Sequence, residues 1–365
     1  MLSIARGRCH VIFVYDIAFA IDLNEAERRI SSAKRETLKH KRRAPQYFEY
    51  RPAPIGISQR GAPVRIDEQF ATDPQVDLVV YDFGAVTVVY RIPFTSDSSR
   101  LLVLSEELYE NRQLLDDSRR RVEEVLKVIG AAVSKANISA FVEDYVIFQI
   151  GEFADATGIE ELITHYRQHI AQILRAEARE LSADEVADAL SHHISFGKDD
   201  IVLVDWNAAL VVDKEAEDIL TILEFANVEL LEMRFLDQQL DEALTLAYDR
   251  LTQSKRRWFP SSANPTALRD VSQWQADSAI LFEGINNVLK LLGDQYLARV
   301  YRLTAERFHL TEWDASILRK LETLESIYQK ISDQVVNSRM EILEWIIIAL
   351  IVIEIVLPFV SSKVH

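Results

Sequence analysis

His165 and His169 lie four residues apart in ITHYRQHIAQILRAE, with Glu161 one turn earlier. Two imidazoles at i and i+4 share one face of a helix, which is how a divalent metal takes its first two protein ligands. No Glu directly follows His165, so the HExxH protease motif is absent. Without a visible third ligand, the pair reads more readily as chance spacing on a solvated helix face. His192 and His193 are adjacent, point in different directions and read as the end of a capped helix. Tyr81-Asp82-Phe83-Gly84 contains the letters DFG, but the other kinase elements are missing, so it reads as a hairpin turn. The chain contains no GxxxxGK[ST], GxGxxG or GxSxG, so neither a nucleotide cradle nor a nucleophile elbow is signalled and no cofactor is expected. Two basic clusters remain, Lys39 to Arg43 and Lys255-Arg256-Arg257, the second followed by Trp258 and Phe259. Basic and aromatic residues together can meet RNA or lipid headgroups, and the alternative is a solvated loop.

The elements that would carry these residues fall in two groups, which define an α+β chain. Residues 1–212 alternate strands and helices. HVIFVYDIAFAI reads as a buried strand and DLNEAERRIS as a helix. After the Pro-rich connection RPAPIG, the segments VDLVVYDF and AVTVVYRIPF read as a hairpin centred on Gly84. A helix is predicted near Ser105 to Gly130, and DYVIFQI is a strand. LSADEVADALSHH is a short helix opened by a capping box of Ser182 and Glu185. IVLVDWNAALVV gives two short strands around Asp205-Trp206-Asn207. Residues 213–341 are a helical, coiled-coil-like arm. Ile219, Leu223, Ala226, Leu230 and Met233, then Leu240, Leu244, Ala247 and Leu251, keep a four-three spacing. A second helix carries Val271 to Leu292. A third carries Ile317 to Val335, with Thr311 as N-cap, and the arm pairs within or between chains.

A net charge of -16 argues against general nucleic-acid binding, since a phosphate backbone rewards a basic surface. The one cysteine, Cys9, allows neither an internal disulfide nor a cysteine metal site and fits a reducing compartment. Arg6, Arg8 and the apolar run to Ala20 imitate a signal peptide, but Asp16 interrupts the run and a buried first strand is the better reading. At the other end, WIIIALIVIEIVLPFV (Trp345 to Val360) is broken only by Glu354 and Pro358. Summed insertion energies of roughly -4 to -7 kcal/mol outweigh about +3 kcal/mol for one central acid. Residues 342–361 are therefore expected to form a transmembrane anchor, with Trp345 at the interface and Glu354 facing another helix.

The segment Ile222 to Leu251 resembles the signature helix of the required-for-meiotic-nuclear-division family, through Leu223-Glu224-Phe225-Ala226-Asn227, Leu230-Leu231-Glu232-Met233-Arg234, Asp237 and Leu240-Asp241. LEWIIIALIVIEIVL is similar to that family's C-terminal anchor, and DFGAVTVVY to its Gly-centred strand pair. The resemblance implies a single-anchor protein, and the family's mitochondrial member is tied to organellar translation near the ribosome. No transit peptide is evident, so a bacterial-type member is expected. That places it in the inner (cytoplasmic) membrane with its body in the cytosol, or in the mitochondrial inner membrane of a eukaryote. Asn227, Glu232, Arg234, Asp237 and Asp241 read as a polar seam that fixes register between helices or subunits. The expectation is a membrane-tethered, homo-oligomeric scaffold without turnover that recruits a protein partner, the ribosome among the candidates. The alternative is a metal- or small-ligand-dependent enzyme or sensor in the α+β domain.

Overall fold

A computed structural model of the chain describes residues 2–32, 38–41, 53–155, 158–255 and 294–361. The chain divides into two compact units: Met1–Arg234 with Gly284–Glu312, and Phe235–Glu283 with Trp313–His365.

The first unit is built on one long strand, β1 (Ser3–Asp16). From Cys9 to Asp16 every residue of β1 is buried. A strand without a solvent face needs a strand on each edge and a layer on each side. Its edges pair antiparallel with β6 (Ala85–Asp97) and β8 (Val142–Phe153). Beyond β6 come β5 (Gln75–Val80), β4 (Ile55–Arg60) and β3 (Leu38–Lys41). Beyond β8 come β11 (Ala208–Val212), β10 (Ile201–Val204) and β9 (His193–Ile194), giving nine strands in one sheet among the described residues. The β8–β11 pair is parallel and the other neighbours are antiparallel. A separate small pair joins β2 (Ala20–Ile21) to β7 (Val133–Ser134).

Alternation sorts the β1 side chains by face. Cys9, Val11, Phe13 and Tyr15 join a core with α1 (Leu23–Ser32), α2 (Ser98–Leu108), α3 (Arg112–Ile129) and α5 (Arg167–Arg175). Ile12, Val14 and Asp16 point to the opposite face, which α7 (Glu217–Lys255) covers: Thr87 donates to the Glu224 carboxylate, and Arg234 is paired with Glu143. Beside it lies α8 (Gln295–Arg307), whose Tyr301 hydroxyl donates to Glu229 at 2.5 Å.

The hairpin expected at Gly84 is present. Gly84 has φ +106, and an added Cβ would strike the carbonyl oxygen of Ala18, so the turn requires glycine on two counts. The helix predicted over Ser105 to Gly130 is two helices. Glu110 adopts a left-handed φ of 51 and Asn111 caps α3 by accepting from the Leu114 amide at 3.0 Å. The expected capping box opens α6 (Ala183–Ala189), where Ser182 accepts from the Glu185 amide at 3.2 Å. Strands β3 and β4 stand where a basic run and a Pro-rich connection were read. Lys39 belongs to β3, and Arg42 and Arg43 lie outside the described residues.

A buried ion cluster ties α5, α6 and α8 to the β10–β11 turn. Asp205 accepts from Arg175 Nε at 3.0 Å and from Arg307 Nε at 3.0 Å. Asp188 accepts from Arg175 at 2.6 Å and Arg307 at 2.8 Å, and the hydrogen bond from Arg307 leads in holding its carboxyl down to about 2.

In the second unit, Leu240, Ala243 and Ala247 of α7 are buried, as are Ile317, Leu324, Ile327 and Ile331 of α9 (Leu310–Ser361). Lys320 Nζ lies 2.7 Å from both Asp237 and Asp241, so here the arm pairs within the chain. Thr311 falls inside the first turn of α9 rather than at its cap. The predicted helix Val271 to Leu292 lies outside the described residues.

The expected anchor is overturned. Among the described residues no helix is long and apolar enough to cross a membrane. Glu344 and Glu354 bracket nine apolar residues, Trp345 to Ile353, which cover about 13 Å of helix against the roughly 30 Å of a hydrocarbon core. Trp345 and Glu354 are therefore residues of a long continuous helix, and the transmembrane, tail-anchored and inner-membrane expectations go with the anchor.

Removing the buried acid of the ion cluster leaves the enclosed Arg307 guanidinium with the half-exposed Asp188 as its remaining ion partner among the described residues. Asp205→Ala is expected to cost about 3–5 kcal/mol in urea denaturation, whereas Asp188→Ala, at a half-exposed carboxylate, costs under about 1 kcal/mol.

Candidate functional site

The first unit carries a cleft of about 290 Å³ built from four separate segments. The β9–β10 loop supplies Phe196 and Asp200. The end of β11 supplies Asp213, the first turn of α7 and its approach supply Glu215, Asp218 and Ile219, and the start of α8 supplies Asp294, Tyr296 and Leu297.

Several of these acids have local work that explains their position. Asp200 accepts from the amides of Phe196 (2.7 Å) and Gly197 (2.6 Å), which pins the loop and holds Phe196 outward. Asp213 accepts from the Glu215 amide at 2.8 Å, an Asx turn that leads the chain into α7. Asp294 caps α8, accepting from Tyr296 (2.7 Å) and Leu297 (3.0 Å). The loop and the cap bring two rings together: Phe196 meets Tyr296 edge-on at 5.2 Å, while Phe196 itself is 79% exposed.

Electrostatically the cleft is one-signed. Five carboxylates line it, and Asp218 is raised by burial and by its neighbours Glu217 and Asp294. The Tyr296 hydroxyl is pushed up to about 12, first by burial and then by Asp200 and Asp213, with Arg299 opposing. That hydroxyl is buried without a hydrogen-bond partner among the described residues. The lining includes no Ser, Cys, His or Lys that could serve as nucleophile or base. Among the described residues no three His, Cys, Asp or Glu side chains are grouped to hold a metal ion. Carboxylates spread around the exposed Phe196 ring suit an organic cation, held by charge and by the ring face.

The residues singled out from the sequence lie elsewhere. His165 ends α4 (Ile159–His165) and His169 lies in α5, with the helix interrupted at Tyr166 between them. Asn227 is buried on α7 and donates to its own helix at the Leu223 carbonyl (2.7 Å). Glu232 is buried, Arg234 meets Glu143, and Asp237 and Asp241 meet Lys320. The five seam residues thus serve the sheet-facing side of α7 and the α9 contact separately. Lys255 closes α7, while Arg256, Arg257 and Trp258 lie outside the described residues.

The first unit is a mixed α/β body with a nine-stranded sheet and a negative, aromatic-walled cleft. The chain belongs to the family described as "Uncharacterized protein MJ0711, N-terminal domain", whose model matches residues 6–218. That stretch contains the described sheet from Arg6 of β1 onward and the cleft acids up to Asp218. The chain is similar to Uncharacterized protein MJ0711 of Methanocaldococcus jannaschii, with 24% identity over 285 residues, 78% of this chain and 81% of that protein. No solved structure matches the chain.

A buried hydroxyl without a partner contributes nothing to stability by hydrogen bonding and still bears its desolvation cost. Tyr296→Phe is therefore expected to leave the unfolding midpoint unchanged or raise stability by up to about 1 kcal/mol; a clear loss in a thermal melt would mean that the hydroxyl has a partner in solution.

Proposed function

We propose that this protein is a non-catalytic scaffold that recruits a protein partner by gripping a Lys- or Arg-rich segment in the acidic cleft. The observation that carries this reading is the composition of the cleft: five carboxylates around an outward Phe196 that meets Tyr296 edge-on. A guanidinium or ammonium group laid on Phe196 gains a cation–π contact, and the surrounding acids supply a field that draws basic chains in. The net charge of -16 extends that field over the molecule. Basic extensions of ribosomal proteins have the required chemistry, and the resemblance of the Leu223 to Asp241 segment to the required-for-meiotic-nuclear-division family supports a translation-linked partner.

Self-association is the second part of the reading. Leu343, Trp345 to Ile348 and Leu350 to Ile353 are each about half exposed on α9, so apolar surface lies on all sides of that helix. An apolar band this continuous is covered in working proteins. A second copy of the chain is the occupant we assign, because each copy brings the same self-complementary surface.

Isothermal titration of the full chain with an Arg/Lys-rich peptide, an acidic control peptide and spermidine tests the cleft. The basic peptide is expected to bind, to weaken steeply from low to high salt, and to lose about tenfold in affinity with Phe196→Ala. Equal binding of the acidic control, or no binding, sinks the proposal; binding of spermidine alone transfers the cleft to a small-ligand sensor. Sedimentation velocity tests the second part: the chain is expected to run as an oligomer and Ile346→Asp with Leu350→Asp as a monomer, and a monomeric parent overturns it.

A further inference from the structure

Val14 of β1 is paired with Thr87 of β6 and with Glu143 of β8, so all three share a face of the sheet. It is the face that α7 covers, since Thr87 bonds Glu224 and Glu143 bonds Arg234. Asp16 is two residues beyond Val14 and therefore points the same way, at the last position of β1. On α7, Glu232 is close enough for the Asp16 charge to act on it. The two residues are 4% and 1% exposed, and no ion pair to either carboxylate is found among the described residues. Glu232 Oε1 is wholly buried and unbonded.

The surrounding charges do not relieve them. On α7, Arg234 is committed to Glu143, and Glu224 is held by Thr87. On β6, Arg91 is paired with Asp77. Further up β1, His10 is bonded to Gln149 and pushed down to about 4 by burial, so it brings no positive charge near neutrality. From α8, the Tyr301 hydroxyl serves Glu229. In the turn before β6, Asp82 adds another carboxylate, itself raised by burial. Two negative charges in so dry a place cannot both persist.

We propose that Asp16 and Glu232 share a single proton, one carboxyl donating its O–H to the other carboxylate, and that this proton locks α7 onto the end of β1. Loss of the proton to solvent leaves two facing carboxylates and loosens the helix. Burial raises both groups, and Asp16 further raises Glu232. The folded state thus holds a proton that the unfolded chain releases near pH 4, and stability falls as pH rises through the folded value. Glu143 and Glu224, each raised by burial to about 7, act in the same direction and are present in every variant below. Because α7 also supplies Asp218 and Ile219 to the cleft, the proton would gate partner capture. That consequence rests on the scaffold reading, whereas the titration of the pair does not.

The test is carboxyl ¹³C NMR of the full chain between pH 3 and 9, with resonances assigned through Asp16→Asn and Glu232→Gln. One carboxyl of the pair is expected to titrate above neutrality and the other well below it. Both titrating near the ordinary value of about 4 overturns the proposal. Unfolding equilibria between pH 6 and 9 give a second readout, since one proton shifts the constant by up to tenfold per pH unit. Glu232→Gln is expected to lose that slope and to be more stable than the parent at pH 9; an unchanged slope counts against a shared proton. Stoichiometric divalent metal in the purified chain, removable by EDTA with loss of thermal stability, would also overturn it by making the pair a cation site.

Discussion

The burial of β1 on both faces is the constraint from which the rest of the first unit follows. Cys9 to Asp16 presents no residue to solvent, so its odd and even positions both require a covering layer. The odd positions are met by the apolar faces of α1, α2, α3 and α5. The even positions are met by α7, which therefore cannot be an independent arm over its first half. A central strand with this demand also fixes its neighbours, because β6 and β8 must match it in length and register to satisfy its backbone groups. The sheet grows outward on each side from that pairing.

Charge is buried in two contrasting ways on this frame. Asp205 is almost fully enclosed, but two guanidinium groups approach it, and Tyr145 fixes its backbone carbonyl at 2.9 Å. Such a cluster gains little over an apolar replacement, yet is costly to break on one side. It specifies which segments meet: α5, α6, α8 and the β10–β11 turn. Asp16 lies under α7, and neither it nor Glu232 is paired with a cation among the described residues. There the same physics selects protonation, since desolvation acts on the charge and not on the neutral acid.

Local signals were legible in the sequence. Gly84, the Ser182–Glu185 box and the Asp205-Trp206-Asn207 turn each depend on a few consecutive residues, and each folds as its chemistry dictates. The long periodicity from Ile219 to Leu251 marked α7 as a helix, but it could not say that Glu224, Asn227 and Glu232 would face a sheet while Asp237 and Asp241 met Lys320. Helix breaks were hidden where the residue at the break is a good helix former, as at Glu110, or an aromatic, as at Tyr166. Strand β4 was missed because IGISQR follows two prolines and is too short to show alternation. The apolar tail misled because hydropathy was summed across Glu354, whereas the span depends on the uninterrupted length. The cleft could not be read at all. Its acids come from four segments spread between Asp200 and Asp294, and three of the acids already have a sequence-local explanation as a cap or turn.

The three acids that α7 turns inward show why a proton belongs at Glu232 in particular. Glu224 receives a hydroxyl from Thr87 and Glu229 one from Tyr301, so each carboxylate has a donor supplied by a neighbouring element. Glu232 faces a carboxyl where the other two face a hydroxyl. A carboxyl becomes a donor only when protonated, so the hydrogen bond that completes the series along α7 exists only while Asp16 or Glu232 keeps its proton. Replacing either acid by its amide supplies a permanent N–H donor in the same place, which is why the amide variants imitate the protonated state and why the two residues act as one group and not as two.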